Sequence, residues 1–325
     1  MENGNILLEI RGLKKYFRTR SLQYWKQEGL IRAVDDVSMK IRSGETLGLV
    51  GESGCGKSTL AKLIMGLEKP TAGEILFEGE NIAGYSRGAW RAFRNKVQII
   101  FQDPYASLNP RRTAGKTIGE PFLIRRKGLG KKEIDEHVAR LLARVGLSRD
   151  QADRYPHEFS GGQRQRIGIA RAISVEPSLV IADEPVSALD VSIQAQILNL
   201  LKDLQDQLHL TYLFISHNLG VIRHMSDRVV VMYLGRIVES GTNEAIFGDP
   251  RHPYTRLLLS AILETHAEKG RKATGGPGES KDMVQPEACR FYPRCPIAGD
   301  RCLAESPELL RVADDHAVAC HFGIH

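Results

Sequence analysis

The residues Gly51-Glu52-Ser53-Gly54-Cys55-Gly56-Lys57-Ser58-Thr59 satisfy the pattern GxxxxGK[ST], and they stand between a short apolar run, Thr46 to Val50, and a helical pattern from Ser58 towards Leu67. This setting commits the chain to a strand, a glycine-rich turn and a helix in direct succession, the unit around which parallel α/β sheets carry a phosphate site. Glycines let backbone N–H groups turn inward around phosphate oxygens with no Cβ in the way. Lys57 supplies a point charge at the β and γ phosphates, the Ser58 hydroxyl suits magnesium, and the helix contributes its positive N-terminal end. Cys55, inside the loop, reads as a small packing residue.

The rest of the chain fits that commitment. Leu7 to Leu13 and Val37 to Ile41 read as early strands, with a polar insertion from Arg18 to Leu30 between them. Glu74 to Phe77, Val97 to Phe101, Leu179 to Ala182, Tyr212 to Ser216 and Arg228 to Tyr233 supply further short apolar strands. Lys131 to Val145 reads as a helix. Ile193, Ile197, Leu200, Leu201, Leu204 and Leu208 share one face of a long amphipathic helix. Alternating strands and helices predict an α/β fold with a largely parallel, helix-covered sheet.

The 325 residues allow one large domain plus a small appendage, and 42% hydrophobic residues allow a sizeable core. The longest apolar runs have strand length, well short of the ~20 residues of a membrane helix. Met1 to Asn5 lacks the basic start and apolar core of a signal peptide, so a reducing cytosolic setting is expected. The net charge of +6 is scattered along the chain and does not by itself point to nucleic acid or a membrane.

Three further elements follow the phosphate loop. Asp183 and Glu184 end an apolar strand, where Asp183 can orient magnesium and Glu184 can polarise a water in line with the γ phosphate. Standing alone, such an acidic pair is more often a solvated loop entry. Ser160-Gly161-Gly162-Gln163 reads as an N-cap opening a helix that carries Arg164 and Arg166. His217 and Gln102 each follow an apolar strand, and without the other motifs each reads as structural.

Together these motifs resemble the ATP-binding cassette (ABC) family over about residues 7–263. The resemblance implies a P-loop NTPase cassette with a RecA-like core, an antiparallel β subdomain and a helical subdomain at about 103–175. It makes Ser160, Gly161, Gly162 and Gln163 the signature that one cassette presents to the ATP held by a second. His217 becomes the switch histidine at the γ phosphate, and Gln102 a ligand to magnesium and the attacking water. Ser187-Ala188-Leu189-Asp190 becomes the D-loop, and Phe17, or failing it Tyr16, the aromatic under adenine. Phe159 stands where the family usually has Leu. Gly48 to Cys55, Asp103-Pro104-Tyr105-Ala106-Ser107-Leu108-Asn109-Pro110, Pro185 to Asp190 and Asp249 to Thr255 narrow the likeness to ATP-binding subunits of dipeptide and oligopeptide importers. That family implies ATP and Mg²⁺, a second, related cassette as partner, two membrane permease subunits, an indirect link to a peptide-binding protein, and a peripheral place on the cytoplasmic face of the inner membrane.

Residues 264–286 are rich in charge, Gly and Pro and read as a linker. Beyond it, residues 287–325 hold Cys289, Cys295, Cys302 and Cys320 in a terminal module. Four thiolates there can bind a metal, although no close C-x2-C pair is present and His316 and His321 offer other ligands. The resemblance implies a four-iron four-sulfur cluster; zinc, or free or disulfide-bonded cysteines, are the alternatives. Competing functions are a cassette ATPase acting on nucleic acid or ribosomes, and an importer of the same family for a cargo such as nickel or glutathione. The single cassette without a coiled-coil insertion favours transport, with no nucleic acid as partner.

Overall fold

The computed structural model describes residues 5–19, 29–125, 130–266 and 287–323. Two long strands open the chain, β1 (Ile6–Thr19) and β2 (Gly29–Arg42), and the buried β3 (Thr46–Val50) leads through the glycine-rich loop into α1 (Lys57–Ile64). β4 (Ala72–Phe77), β5 (Glu80–Asn81), α2 (Arg87–Lys96) and β6 (Val97–Ile100) follow. A helical stretch holds α3 (Pro104–Ser107), α4 (Ala114–Arg125), α5 (Lys131–Arg144) and α6 (Gly161–Ile173). Alternation then resumes through β7 (Leu179–Asp183), α7 (Val191–Leu208), β8 (Thr211–Ser216), α8 (Leu219–Met225) and β9 (Arg228–Tyr233). β10 (Arg236–Thr242), α9 (Asn243–Gly248) and α10 (Pro253–His266) complete the main body, and α11 (Asp300–Ala304), β11 (Leu310–Ala313) and β12 (His316–Val318) form the terminal segment.

The strands form two sheets, an antiparallel one in the order β2-β1-β4-β5 and a mixed one in the order β11-β12-β10-β9-β3-β8-β7-β6. β9, β3, β8, β7 and β6 run parallel. β3 and β8 are buried along their whole length, which explains why they read as continuous apolar runs instead of alternating ones. One apolar core lies between the mixed sheet and the helices, with Ile118, Leu142, Ile169, Leu201 and Phe214. The second, with Leu8, Val37, Ile41, Leu60 and Leu213, packs the antiparallel sheet and α1 against the mixed sheet's other strand residues.

Two sequence readings fall partly outside the described residues: 20–28 of the polar insertion and 267–286 of the linker. The terminal segment, read as an appendage, is stitched into the main sheet. β12 pairs antiparallel with β10 through Glu239↔Val318 and Ser240↔Ala317, and β11 pairs with β12. Long-range antiparallel addition of a three-residue strand leaves no periodic trace in sequence.

Candidate active site

The phosphate loop owes its shape to glycines at two positions where a side chain cannot fit. A Cβ on Gly51 would lie 2.1 Å from the carbonyl oxygen of Met232, and one on Gly56 would lie 2.1 Å from that of Ala33. Gly56 also has φ +110°, a left-handed conformation, and serves as the N-cap of α1 without any side-chain cap bond. The first N–H groups of α1 are thus left without a side-chain acceptor, as an anion site requires. Lys57 is buried, and its Nζ donates to the carbonyls of Gly51 at 2.7 Å and Glu52 at 2.9 Å. Cys55 is buried as expected of a packing residue, and burial pushes its thiol pKa up.

Registers within the sheet bring the other motifs to the same end. Val50 pairs with Ser216, Asp183 with Ile215, and Ile100 with Ala182, so the carboxyl ends of β3, β8, β7 and β6 lie side by side. Ligands bind in the crevice outside those ends in open α/β sheets. The Ser58 hydroxyl donates to Asp183 Oδ1 at 3.2 Å. Burial pushes the Asp183 carboxyl pKa above its ordinary range, against the lowering effect of the Ser58 hydrogen bond. A partly buried carboxylate beside a hydroxyl, facing a phosphate loop, is an oxygen donor set that fits Mg²⁺.

Glu184 has φ +48°, in the left-handed region that costs a non-glycine residue free energy. Its N–H donates to the carbonyl of Ile215 at 2.9 Å, which fixes this turn against β8. On its Oε2 two other residues converge: Gln102 Nε2 donates at 3.0 Å, and His217 Nδ1 lies 3.1 Å away. Three residues that sequence separates by 115 positions therefore meet on a single carboxylate oxygen.

Ser160, Gly161, Gly162 and Gln163 form a separate station at the head of α6. Gln163 N–H donates to Ser160 Oγ at 3.3 Å, and Ser160 N–H to Gln163 Oε1 at 3.0 Å, a reciprocal capping box. A Cβ on Gly162 would meet Ile193 Cγ2 at 2.6 Å, so the glycine lets α7 approach closely. Asp190 is exposed at the N-cap of α7 and makes no side-chain cap bond. No described hydrogen bond joins residues 160–163 to the chain's own phosphate loop. The stretch after Gln102 does reach α6: the Arg164 guanidinium stacks 3.7 Å from the exposed Tyr105 ring, and Arg171 Nη1 donates to the Ser107 carbonyl at 2.6 Å.

The two adenine candidates differ. The Tyr16 hydroxyl donates to Asp35 in a buried ionic network that also takes Arg236 Nε at 3.2 Å and Arg290. Phe17 carries no such tie, and Lys15 Nζ lies 4.8 Å above its ring.

All four terminal cysteines are free of disulfides, and the Cys289 N–H donates to the Cys302 carbonyl at 2.9 Å. Cys289 is pushed up to about 11, first by burial and further by Cys302, Cys295 and Cys320. Among the described residues, no group of three or more His, Cys, Asp or Glu is close enough to hold a single metal ion. His316 Nε2 sits 2.8 Å from buried Glu239, and His321 Nε2 lies 3.1 Å from the Glu305 carbonyl, so both imidazoles face partners other than the thiols.

Sequence reasoning missed Tyr254 and Arg294, which both reach the phosphate loop. The Tyr254 hydroxyl accepts the Glu52 N–H at 2.9 Å, and Arg294 grips the Glu52 carboxylate with two bonds of 2.9 Å. Pairings across 202 and 242 positions leave no local signal.

The family profile described as "ABC transporter" matches residues 34–187, and that described as "Oligopeptide/dipeptide transporter, C-terminal region" matches residues 238–302. The chain is 50% identical over 323 residues to the oligopeptide transport ATP-binding protein AppF of Bacillus subtilis, covering 98% of each. It is 48% identical over 324 residues to the oligopeptide transport ATP-binding protein OppF of Escherichia coli, covering 98% of this chain and 97% of the other. Among solved structures, the dimeric post-hydrolysis state of the ATP-binding cassette MJ0796 with ADP and Pi matches with a TM-score of 0.64 at 28% identity, over 73% of this chain and 99% of that one. No described helix is long and apolar enough to cross a membrane.

Proposed function

This chain belongs to the ATP-binding proteins of oligopeptide and dipeptide ABC transporters, and from that premise we propose that it powers peptide import by hydrolysing ATP in a pair of cassettes closed head to tail. The observation that carries the reading is the convergence of Gln102 and His217 on Glu184, beside the Ser58–Asp183 pair and at the mouth of the phosphate loop. In this reading Lys57 and the head of α1 hold the phosphates, and Ser58, Asp183 and Gln102 hold Mg²⁺, which when bound neutralises charge on the β and γ oxygens. Glu184 accepts a proton from the attacking water. Gln102 and His217 fix the carboxylate that does so, and His217, half exposed, also reaches the γ phosphate. Phe17 is preferred to Tyr16 under adenine, because the Tyr16 hydroxyl is already committed to Asp35.

The signature residues 160–163 serve the ATP of the partner cassette, a related and non-identical chain. Supporting this, the described side-chain bonds of Ser160 and Gln163 lie within their own capping box, and Ser160 at the head of α6 is exposed. Closure passes to two permease subunits at the cytoplasmic face of the inner membrane through the stretch 103–110, which Arg164 and Arg171 tie to the signature helix. Affinity isolation from membranes in mild detergent tests the assembly: copurifying hydrophobic permeases and a second cassette are expected, and nucleic-acid-stimulated ATPase activity without permeases would refute it.

For the terminal cysteines the favoured group is a four-iron four-sulfur cluster. A single zinc ion at ~2.3 Å from each sulfur requires thiolates roughly 3.8 Å apart. A cluster accepts more widely spaced ligands, because it fills the space between them with its own iron and sulfide, and Cys289, Cys295, Cys302 and Cys320 offer it four thiols. Anaerobically purified protein should contain iron and acid-labile sulfide; stoichiometric zinc without iron overturns the assignment.

A further inference from the structure

We propose that Arg294 is a positioning residue for ATP binding, and that the terminal segment braces the phosphate loop from outside. The inference rests on the reading of residues 51–59 as the ATP site, and it holds whatever the cysteines carry. Glu52 is the second residue of the loop, and all three of its polar handles are taken. Its N–H goes to the Tyr254 hydroxyl at 2.9 Å, its carbonyl to Lys57 Nζ at 2.9 Å, and its carboxylate to both terminal nitrogens of Arg294 at 2.9 Å each. The two partners outside the loop come from α10 and from the turn preceding Cys295. Both rest on one aromatic cluster. The Tyr254 and Phe291 ring centroids are 5.5 Å apart, Tyr233 and Tyr254 4.5 Å, and the Arg294 guanidinium lies 5.8 Å from both Tyr233 and Phe291.

Arg294 does not hang from a free tail. Four residues earlier Arg290 donates to the Leu234 carbonyl and to Asp35, and Gly235, next to Leu234, donates its N–H to the carbonyl of Cys55 at 2.8 Å. The terminal segment therefore grips the loop at its start through Glu52 and approaches its middle through Leu234 and Gly235. A phosphate loop binds by holding several N–H groups at fixed directions, and the entropy of ordering it is lost again at each binding event if the free loop is loose. A bidentate arginine pair on the residue that begins the turn restricts that freedom beforehand. Lys57 gains from the same restraint, since it must leave the carbonyls of Gly51 and Glu52 to meet phosphate while the loop keeps its shape.

The test is a double-mutant cycle on the full chain with Arg294→Ala, Glu52→Ala and the pair, reading MgATP affinity by calorimetry and amide hydrogen exchange across residues 51–56. For a partly exposed ion pair, each single variant should weaken ATP binding about two- to fivefold, the pair should weaken it no further, and exchange in the loop should rise. Arg294→Lys should recover part of the loss, which separates positioning from misfolding. Unchanged affinity in Arg294→Ala, additive losses in the pair, or a fall in kcat with affinity intact overturns the brace. Lys57→Ala, run in parallel, should abolish binding; if it does not, the ATP-site reading fails and takes the brace with it, whereas unchanged affinity in Arg294→Ala beside lost binding in Lys57→Ala overturns the brace alone.

Discussion

Replacing Glu184 by Gln removes one charge and changes almost no volume, which makes it the sharpest probe of the site. The carboxylate Oε2 accepts from Gln102 at 3.0 Å and faces His217 Nδ1 at 3.1 Å, so a glutamine amide oxygen can keep these contacts and leave the turn in its strained φ of +48°. What it cannot do is accept a proton. A positioned general base contributes ~10²–10⁴ in rate, so the barrier to hydrolysis should rise by about 3–5 kcal/mol. In the proposed function the phosphate contacts lie elsewhere, on Lys57 and on the uncapped N-terminus of α1, so ATP affinity should stay within about twofold of the parent. The assay pairs phosphate release at saturating ATP with equilibrium binding of a fluorescent ATP analogue, and follows MgATP-dependent association of the cassettes, which should persist because the bound nucleotide is not consumed. Turnover within threefold of the parent would refute the role of Glu184 as base. Slow turnover caused by a large loss of affinity would instead make Glu184 a binding residue.

Two further perturbations test the structure around the site. Asp35→Ala takes away a 2% exposed carboxylate that is held low, against the raising effect of burial, by the Tyr16 hydroxyl and by Arg290 and Arg236; it strands Arg290 and should cost about 3 kcal/mol in urea unfolding, with a loss under ~1 kcal/mol counting against the network. His252 is buried with its pKa lowered to about 4 from 6.5, so the unfolded chain takes up the proton first. Its contribution is complete above pH 6.5 and is lost as pH falls towards 4, by up to about 3 kcal/mol, and His252→Gln should flatten the pH dependence of melting in that window; an unchanged slope would show that other groups set it.

The parts of the site legible in sequence are those whose chemistry is local. The phosphate loop, the acidic pair and the signature each occupy a few consecutive residues, and β3, β7 and β8 announce themselves as apolar runs because both faces of the sheet are covered, one by helices and the other by the antiparallel sheet and α1. The face predicted for α7 is correct: Ile197, Leu201 and Leu204 are buried, Ile193, Leu200 and Leu208 pack against the same core, and Leu198 is buried besides. Gln102 and His217 needed the family likeness, since neither residue differs locally from a structural one; only the pairing of β6 with β7 and of β7 with β8 brings them to Glu184. α4 escaped notice because Pro121 interrupts its pattern. The Asp35 network and the Arg294–Glu52 pair could not be read at all, because charged residues are paired by tertiary structure and carry no period of their own.

The attachment of β12 to β10 bears on how the molecule is made. The five parallel strands of the mixed sheet are all synthesised by Tyr233, yet β10 keeps one bare edge, and Glu239, fully buried, lacks its His316 partner until a segment 77 positions later emerges. An unpaired strand edge recruits other chains. For this protein the interval between translation of Thr242 and docking of His316 is one in which the β10 edge is open to pairing with other chains, and closure of that edge is an event separate from closure of the nucleotide site.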